Sequence, residues 1–580
     1  MRNLHIGRAT SLLSIFVLAT PMFLLSAWHA HTKSTAIAEE QPESAELASI
    51  INHVIASENL FSVKLTRFSP RIETYVQYYQ PDAELGDVAT NDATFLGRLK
   101  FDGEAHEISF VPTANPDWFR RHNPTKVVGS KAHLMLDGFA MEGLMVDEHN
   151  FDRMHYTFEP VRWEYLGDVR CLAIDVHPRA NQEVGAFEGR IWVEEHDFAV
   201  VRLNGTRVRP QKGNFYVHFD CWRENLQPGV WLPVYIYSQE SDMGKDLRYK
   251  SETRLWGYDL AAHHEQQEWT TIQVDAAAGP VRDTTEHNAD YSPVESERQL
   301  NIQAEQNVLD RLEKARLIAP AGPVDKVLET VVNNLRVTNH LDGLPPVQCR
   351  VMMTSSLESF SLAYTIVLSR GLIDVLPDEA SLAMVLSHEL AHIALGHKLD
   401  TKFAFNDRLE VSDEQLLANM DFTRSQHDEE AADAKGIEFL QNSPYKDNLG
   451  QAGLFLRAAI EVAPHVPHMF GAHMGNGLTE GNKMIRMSAL TNTAPQLKAR
   501  SVDQISALPL GSRLQVNAWD GSVAFTDRKA VPLVDAGEKM PFRVTPLIPH
   551  LRVYAQPSPK ADVSAEAAVK VNVSAQNQLH

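Results

Sequence analysis

Cysteine is scarce in this chain: Cys171, Cys221 and Cys349 are the only three in 580 residues. No two have the close spacing of a thiolate metal site, which excludes a cysteine-built zinc or iron–sulfur centre. Cys171 and Cys221 fall in one strand-rich stretch and could pair in an oxidising compartment. Three separate buried thiols is the alternative, and Cys349 is left over in either case. Positive charge is also short, with 54 Lys and Arg against 75 Asp and Glu and a formal net charge of -21. A surface of that sign argues against nucleic acid and against an anionic membrane as partner. Long apolar runs are missing too. The run Leu12–Leu25 covers 14 residues, short of the roughly 20 that a bilayer span requires. No later segment is more apolar, and no internal repeat is visible.

What is present at the N-terminus has a recognisable order. Arg2 and Arg8 precede the apolar run, Pro21 interrupts it, and the small residues Ser26 and Ala27 follow. That is the arrangement of a secretory signal. Residues 1–27 are therefore expected to direct export, to the periplasm in the first instance, with the segment either removed or kept as an N-terminal anchor. No cysteine follows the run, so a lipoprotein anchor is excluded.

Apolar residues make up 44 % and charged residues 22 % of the chain, an ordinary globular balance. At about 150 residues per domain, the length suggests several units. Leu47, Ile50, Ile51 and Val54 have helical spacing near the start. The period then changes to short runs rich in Val, Ile, Tyr, Phe and Trp, separated by Gly, Asn, Asp and Pro. Gly189–Val193 and Phe198–Leu203 make a plausible hairpin. Residues 40–260 thus read as one antiparallel β domain and the polar stretch 261–295 as a linker. Val324, Val327, Leu328, Val331 and Leu335 then lie on one helix face, and 296–495 is expected to be mainly helical. A small β-containing segment is expected at 496–555 and a disordered Ala/Val/Ser/Gln-rich tail at 556–580.

The chemistry concentrates in His388-Glu389-Leu390-Ala391-His392. Pro377 and Asp378 suit a helix start, Gly396 suits its end, and Leu382, Val385, Leu386 and Ile393 supply an apolar face. With 3.6 residues per turn, His388 and His392 project from one side, one turn apart. Two imidazoles so placed can hold one zinc ion, with Glu389 beside it as general base for a water molecule. A catalytic zinc needs a third protein ligand. His397 is close at hand, but Leu395 and Lys398 stand where the metzincin pattern needs Gly and His. A solvent-facing role beyond the helix end suits His397 better. Glu429, in Asp428-Glu429-Glu430-Ala431-Ala432-Asp433, is the better candidate, with Asp433 one turn further along the same face to orient a ligand imidazole. Ala431, Ala432, Ala434 and Gly436 would let this second helix approach the first. A merely solvated acidic face accounts for Asp428 and Glu430 but not for the small residues.

These two stretches, Leu386–His397 and Ser425–Leu440, resemble the HtpX/BepA/CAAX-prenyl-protease type of gluzincin, which pairs HExxH with a downstream ExxxD. The resemblance implies zinc ligation by His388, His392 and Glu429, one Zn2+ per chain, Glu389 as base and Asp433 behind the ligands. It also implies an edge strand that pairs with extended substrate, placed at Tyr364, Thr365, Ile366 and Val367. There are departures: no Pro-Gly-Gly precedes that strand, Gln426 replaces a common Arg, and Asn476-Gly477-Leu478-Thr479-Glu480 replaces the usual His-Pro-containing run. His473, Asn476 and Arg486 remain as candidates for a transition-state donor or regulatory group. More distantly, Gly189–Gly205 and the strand pattern resemble the LolA/LolB-type half-barrel, which implies binding of lipid or lipoprotein acyl chains.

The expected fold is α+β: an N-terminal antiparallel β half-barrel followed by a mainly α-helical zinc metalloprotease domain with a small edge-strand sheet. The expected activity is hydrolysis of peptide bonds in exported or envelope proteins, in protein quality control. A proteolytically silent chaperone or a lipid- or lipoprotein-binding protein is the competing expectation, with membrane or lipoprotein association through the N-terminal region.

Overall fold

The computed structural model describes residues 45–82, 86–102, 104–109, 141–147, 150–179, 185–208, 218–240, 248–258, 293–399, 422, 424–471, 475–480, 483–497, 514–516, 522–525 and 542–554. The expected signal, most of the linker, the C-terminal tail and His473 lie outside them. The fold is mixed α+β. A helix α1 (Ala45–Leu65) leads into β1 (Arg71–Asp82), β2 (Gly86–Asp102) and β3 (Glu104–Ser109), then the short α2 (Met141–Leu144). Next come β4 (Tyr156–Leu166), β5 (Val169–Pro178), β6 (Phe187–Glu194), β7 (Val200–Arg207), β8 (Phe219–Gln227), β9 (Val230–Glu240) and β10 (Arg248–Trp256). All ten strands form one antiparallel sheet in the order β3-β2-β1-β10-β9-β8-β7-β6-β5-β4. Its two ends, β3 and β4, do not pair with each other, so the sheet is not a closed barrel. Register shifts at Tyr78/Tyr79, Trp192/Val193 and Trp222/Arg223 mark irregularities of the kind that bend strands.

The sheet is held from two directions. On α1, Glu58 is bonded through both carboxylate oxygens to Arg223 of β8, at 2.7 and 2.8 Å, and both side chains are fully buried. The Arg223 guanidinium also lies 3.7 Å from the Phe61 ring centre and donates to the Leu144 carbonyl. On β1, side chains alternate between faces, so Glu73, Tyr75, Gln77 and Tyr79 share one. Glu73 accepts from the Ser355 backbone and hydroxyl at 2.5 and 2.7 Å and pairs with buried Arg370 at 3.1 Å. Tyr75 donates to Asp92, which caps the backbone amides of His468 and Met469. Gln77 clasps the Phe542 carbonyl and the Val544 amide.

Those contacts reach the second half of the chain. Helices α3 (Pro293–Lys314) and α4 (Pro323–Thr338) precede β11 (Gln348–Met352), β12 (Glu358–Leu362) and β13 (Thr365–Ser369). After them come α5 (Arg370–Val375), α6 (Glu379–Leu395), α7 (Gln426–Gln441), α8 (Leu449–Val462), α9 (Pro467–Phe470) and β14 (Asn476–Gly477). Tyr75, Tyr79, Leu96 and Trp256 of the large sheet belong to the same apolar core as Leu328, Leu335, Leu368, Leu386 and Leu456. The β-rich and helical regions are thus built on one shared core, and residues 49–580 form a single compact unit. The hairpin Leu514–Val516/Val523–Phe525 also feeds that core through Leu514 and Val523. A second core lies on the sheet among Cys171, Trp192, Trp222 and Trp231, closed by Leu551.

The smaller sheet has the order β11-β13-β12-β14, with β11 and β13 parallel. This corrects the expected edge strand. Thr365, Ile366 and Val367 lie on β13, bonded on both sides and buried, and Tyr364 sits in the turn before it. β11 is an outer strand, and on the other flank β14 pairs with β12 only at Glu358 and Ser359, so that buried Phe360–Leu362 have no strand on that side among the described residues. All three cysteines are buried free thiols, so Cys171 and Cys221 are not bridged.

Candidate metal centre

Helix α6 begins where Asp378 accepts from the Ser381 amide at 2.8 Å and ends at Gly396, which has φ 72°. A left-handed residue at that position closes the last turn without the cost a side chain would add. Nearly every residue between is buried, His388, Glu389 and His392 included. Helix α7 starts from the Ser425 hydroxyl, which accepts from the Asp428 amide. The two helices cross closely because α7 is lined with small residues. A Cβ on Gly436 would come within 3.2 Å of the His388 backbone, and Ala432 is fully buried.

This crossing brings three donors together. His388 Nε2 and His392 Nε2 are 3.1 Å apart. Glu429 Oε2 lies 3.2 Å from the first and 3.6 Å from the second. Ligands of a tetrahedral zinc, at bond lengths near 2.0–2.1 Å, are separated by about 3.3 Å. The triangle matches that spacing, and two imidazoles with one carboxylate and a free fourth position is a donor set of catalytic zinc sites.

Both imidazoles are oriented from behind. His388 Nδ1 contacts Asp433 Oδ1 at 2.8 Å, and Asp433 Oδ2 accepts from the Met487 amide at 2.7 Å. His392 Nδ1 meets His397 Nδ1 at 2.9 Å, and His397 Nε2 lies 3.6 Å from Asp428 Oδ1. His397 is therefore not the solvent-facing residue expected from its place beyond the helix. It is largely buried against a candidate ligand. With both His392 and His388 pointing Nε2 inward, His392 carries its proton on Nδ1 and donates to His397. That assignment leaves His397 Nε2–H directed at Asp428.

Glu389 is buried beside this triangle. Its Oε1 accepts from the Ser359 hydroxyl at 2.8 Å and from Arg486 Nη1 at 3.1 Å, and its Oε2 has no hydrogen-bond partner among the described residues. Arg486 Nη1 also donates to Ser359 at 2.9 Å, and its Nε lies 3.6 Å from Glu429. Burial works against charge on Glu389, but Arg486, His388, His392 and Arg424 hold its carboxyl below the usual range. Burial likewise opposes the Glu429 charge, and the two imidazoles that face it, with Arg486, hold that carboxyl well below the usual range. Burial is the chief reason His392 is pulled down to about 4. Both carboxylates are thus ionised and His392 neutral at neutral pH, as metal binding requires.

Residues 325–412 match Peptidase family M48. M48 is a zinc metallopeptidase family, and the matched stretch runs from α4 through α6 to beyond His397. The match supports the likeness to the HtpX/BepA type and suggests a metalloprotease. It covers neither Glu429 nor the large sheet. The third donor is carried by the triad geometry, in which His388, His392 and Glu429 offer ligand atoms within 4.8 Å of one another. No curated protein matches the chain.

Among the remaining candidates, Arg486 is brought to the centre, whereas the Asn476 backbone pairs with Ser359 at the rim. Two neighbours escaped the sequence reading. Ser359 is one of several serines with no pattern to single it out. Arg424, whose Nη2 donates to the Ser361 carbonyl at 2.7 Å, lies two positions before the site where the family commonly has Arg. That displacement was the available signal.

Proposed function

We propose that the chain is a zinc-dependent endopeptidase that hydrolyses peptide bonds in exported or envelope proteins. The observation that carries this reading is the imidazole–imidazole–carboxylate triangle with the unpartnered Glu389 Oε2 beside it. His388, His392 and Glu429 would hold one Zn2+. When bound, it would polarise the scissile carbonyl and lower the pKa of water at the site toward 7 or so.

The chain's own groups supply the remaining steps. An extended substrate adds to the open side of β12 at Phe360–Leu362, where backbone groups have no strand partner among the described residues. Ser359 and Arg486 fix Glu389 through Oε1 and leave Oε2 to take a proton from the attacking water. The same oxygen returns the proton to the leaving amine. Arg486, held 3.1 Å from that carboxylate, keeps Glu389 ionised and is positioned to face charge that develops on the carbonyl oxygen.

Export rests on the charged, apolar and small-residue order of 1–27, and a role in quality control rests on export together with the resemblance of the N-terminal β region to lipoprotein-binding domains. No described helix is long and apolar enough to cross a membrane. The deciding experiment is Glu389→Gln in the zinc-loaded chain. Proteolysis of casein should vanish with the metal retained, while Glu429→Gln should lower zinc content on purification. Undiminished cleavage by Glu389→Gln would remove the assigned base.

A further inference from the structure

We propose that Arg424 forms a substrate subsite for a carboxylate, supplied by an acidic side chain or by a free C-terminus close to the cleaved bond. The inference rests on the peptidase reading and narrows its substrate class. Arg424 stands just before α7, and its Nη2 donates to the carbonyl and hydroxyl oxygens of Ser361 at 2.7 and 3.2 Å. Ser361 is two residues along β12 from Ser359, whose hydroxyl bonds Glu389. Residues two apart on a strand share a face and stand ~7 Å apart. The guanidinium thus lies on the same side of β12 as the base, about one or two substrate residues away.

Its position along the strand matters as much. β14 covers β12 only as far as Ser359, and among the described residues no strand pairs with Phe360–Leu362 on that side. A peptide added there passes the guanidinium. Arg424 has N–H groups to offer it, because Nε and Nη1 are buried and have no hydrogen-bond partner among the described residues. Among the described residues, the carboxylates that act on its charge, Glu389, Glu429 and Glu305, are bonded elsewhere. Glu389 Oε1 holds Ser359 and Arg486. Glu429 faces the imidazoles. Glu305 accepts from the amides of Ala363 and Leu399. A guanidinium removed from water with unused donors is costly until an acceptor arrives. Its planar fork matches a carboxylate in two-point contact. Burial also drags the Arg424 pKa down, although Glu389, Glu305 and Glu429 pull the other way. An anionic ligand would relieve that strain on its charge. Arg486 also has a buried Nε and Nη2 without a hydrogen-bond partner among the described residues, but its Nη1 is bonded to both Glu389 and Ser359, which ties it to the base rather than to the far end of β12.

The test uses the full zinc-loaded chain carrying Glu389→Gln, so that peptides bind without turnover. Fluorescent peptides form matched sets: one glutamate walked along a neutral sequence against glutamine at the same place, and a free C-terminal acid against its amide. One acidic position, or the free acid, should bind roughly tenfold to a hundredfold more tightly than its neutral match, the worth of a charge-assisted pair. Arg424→Gln should abolish the difference with zinc content unchanged, and Arg424→Glu should transfer the preference to lysine at that position. Equal binding of all matched pairs, or a preference that survives Arg424→Gln, overturns the subsite. Cleavage assays on the chain with Glu389 intact separate the two ideas. Carboxylate preference without any cleavage would sink the peptidase reading alone, and cleavage without preference would sink the subsite alone.

Discussion

Removing the His397 side chain should loosen the metal without removing a ligand. His392 Nδ1 has one hydrogen-bond partner, the His397 Nδ1 at 2.9 Å, and the rings meet edge-on at 66°. His397→Ala leaves His392 free to rotate and its Nδ1–H without an acceptor in a buried site. Losing such a support behind a metal ligand costs about tenfold to a hundredfold in affinity, or roughly 1.4–2.8 kcal/mol. His397→Gln, whose amide oxygen can accept the same proton, should recover part of the loss. Asp428→Asn should do less harm than His397→Ala, because 3.6 Å between Asp428 and His397 is beyond ordinary hydrogen-bond length. The assay is competition for zinc against a chromophoric chelator of known affinity, at fixed pH. Unchanged affinity in His397→Ala would refute the bracing role. Complete loss of zinc would instead make His397 a ligand.

Other outcomes follow from the same geometry. Glu58→Ala strands the Arg223 guanidinium in the interior, so its urea midpoint should report a loss of about 3–5 kcal/mol. Chelation should lower the melting temperature and added zinc restore it, by about 2.7 kcal/mol at a hundredfold excess over the dissociation constant. Asp433→Ala should weaken zinc binding and also alter kcat, because Asp433 holds both His388 and the Met487 amide next to Arg486. Burial pushes the thiols of Cys171 and Cys221 up to about 12 and raises that of Cys349. Iodoacetamide should therefore spare all three in the native chain and label all three after denaturation, as counted by mass spectrometry.

Local signals in the sequence carried the metal helices. Asp378 and Gly396 bound α6 because caps act within a turn, and the Ala432 and Gly436 pattern of α7 reports the close crossing through sterics alone. Features decided by distant contacts were not legible. The side chain of His397 falls one turn past a helix end, where sequence suggests solvent, but Asp428 and His392 enclose it. The pattern at Thr365–Val367 is that of a strand, yet whether a strand is central or outermost depends on partners, and the parallel pairing of β11 takes up its second side. On β1, Glu73, Tyr75 and Gln77 look like a polar outer face. They are buried because their partners, Ser355, Arg370 and Phe542, lie hundreds of residues away.

The row of polar groups on β1 makes the catalytic half dependent on the N-terminal sheet. Were the chain severed ahead of α3, Arg370 would lose Glu73 and keep only the more distant Asp374, the amides of His468 and Met469 would lose their acceptor, and Leu96 and Trp256 would vanish from a core they help to fill. The approach to β12 would slacken from both flanks. An engineer could not lift the helical half with its metal-site triad off this sheet and expect it to stand.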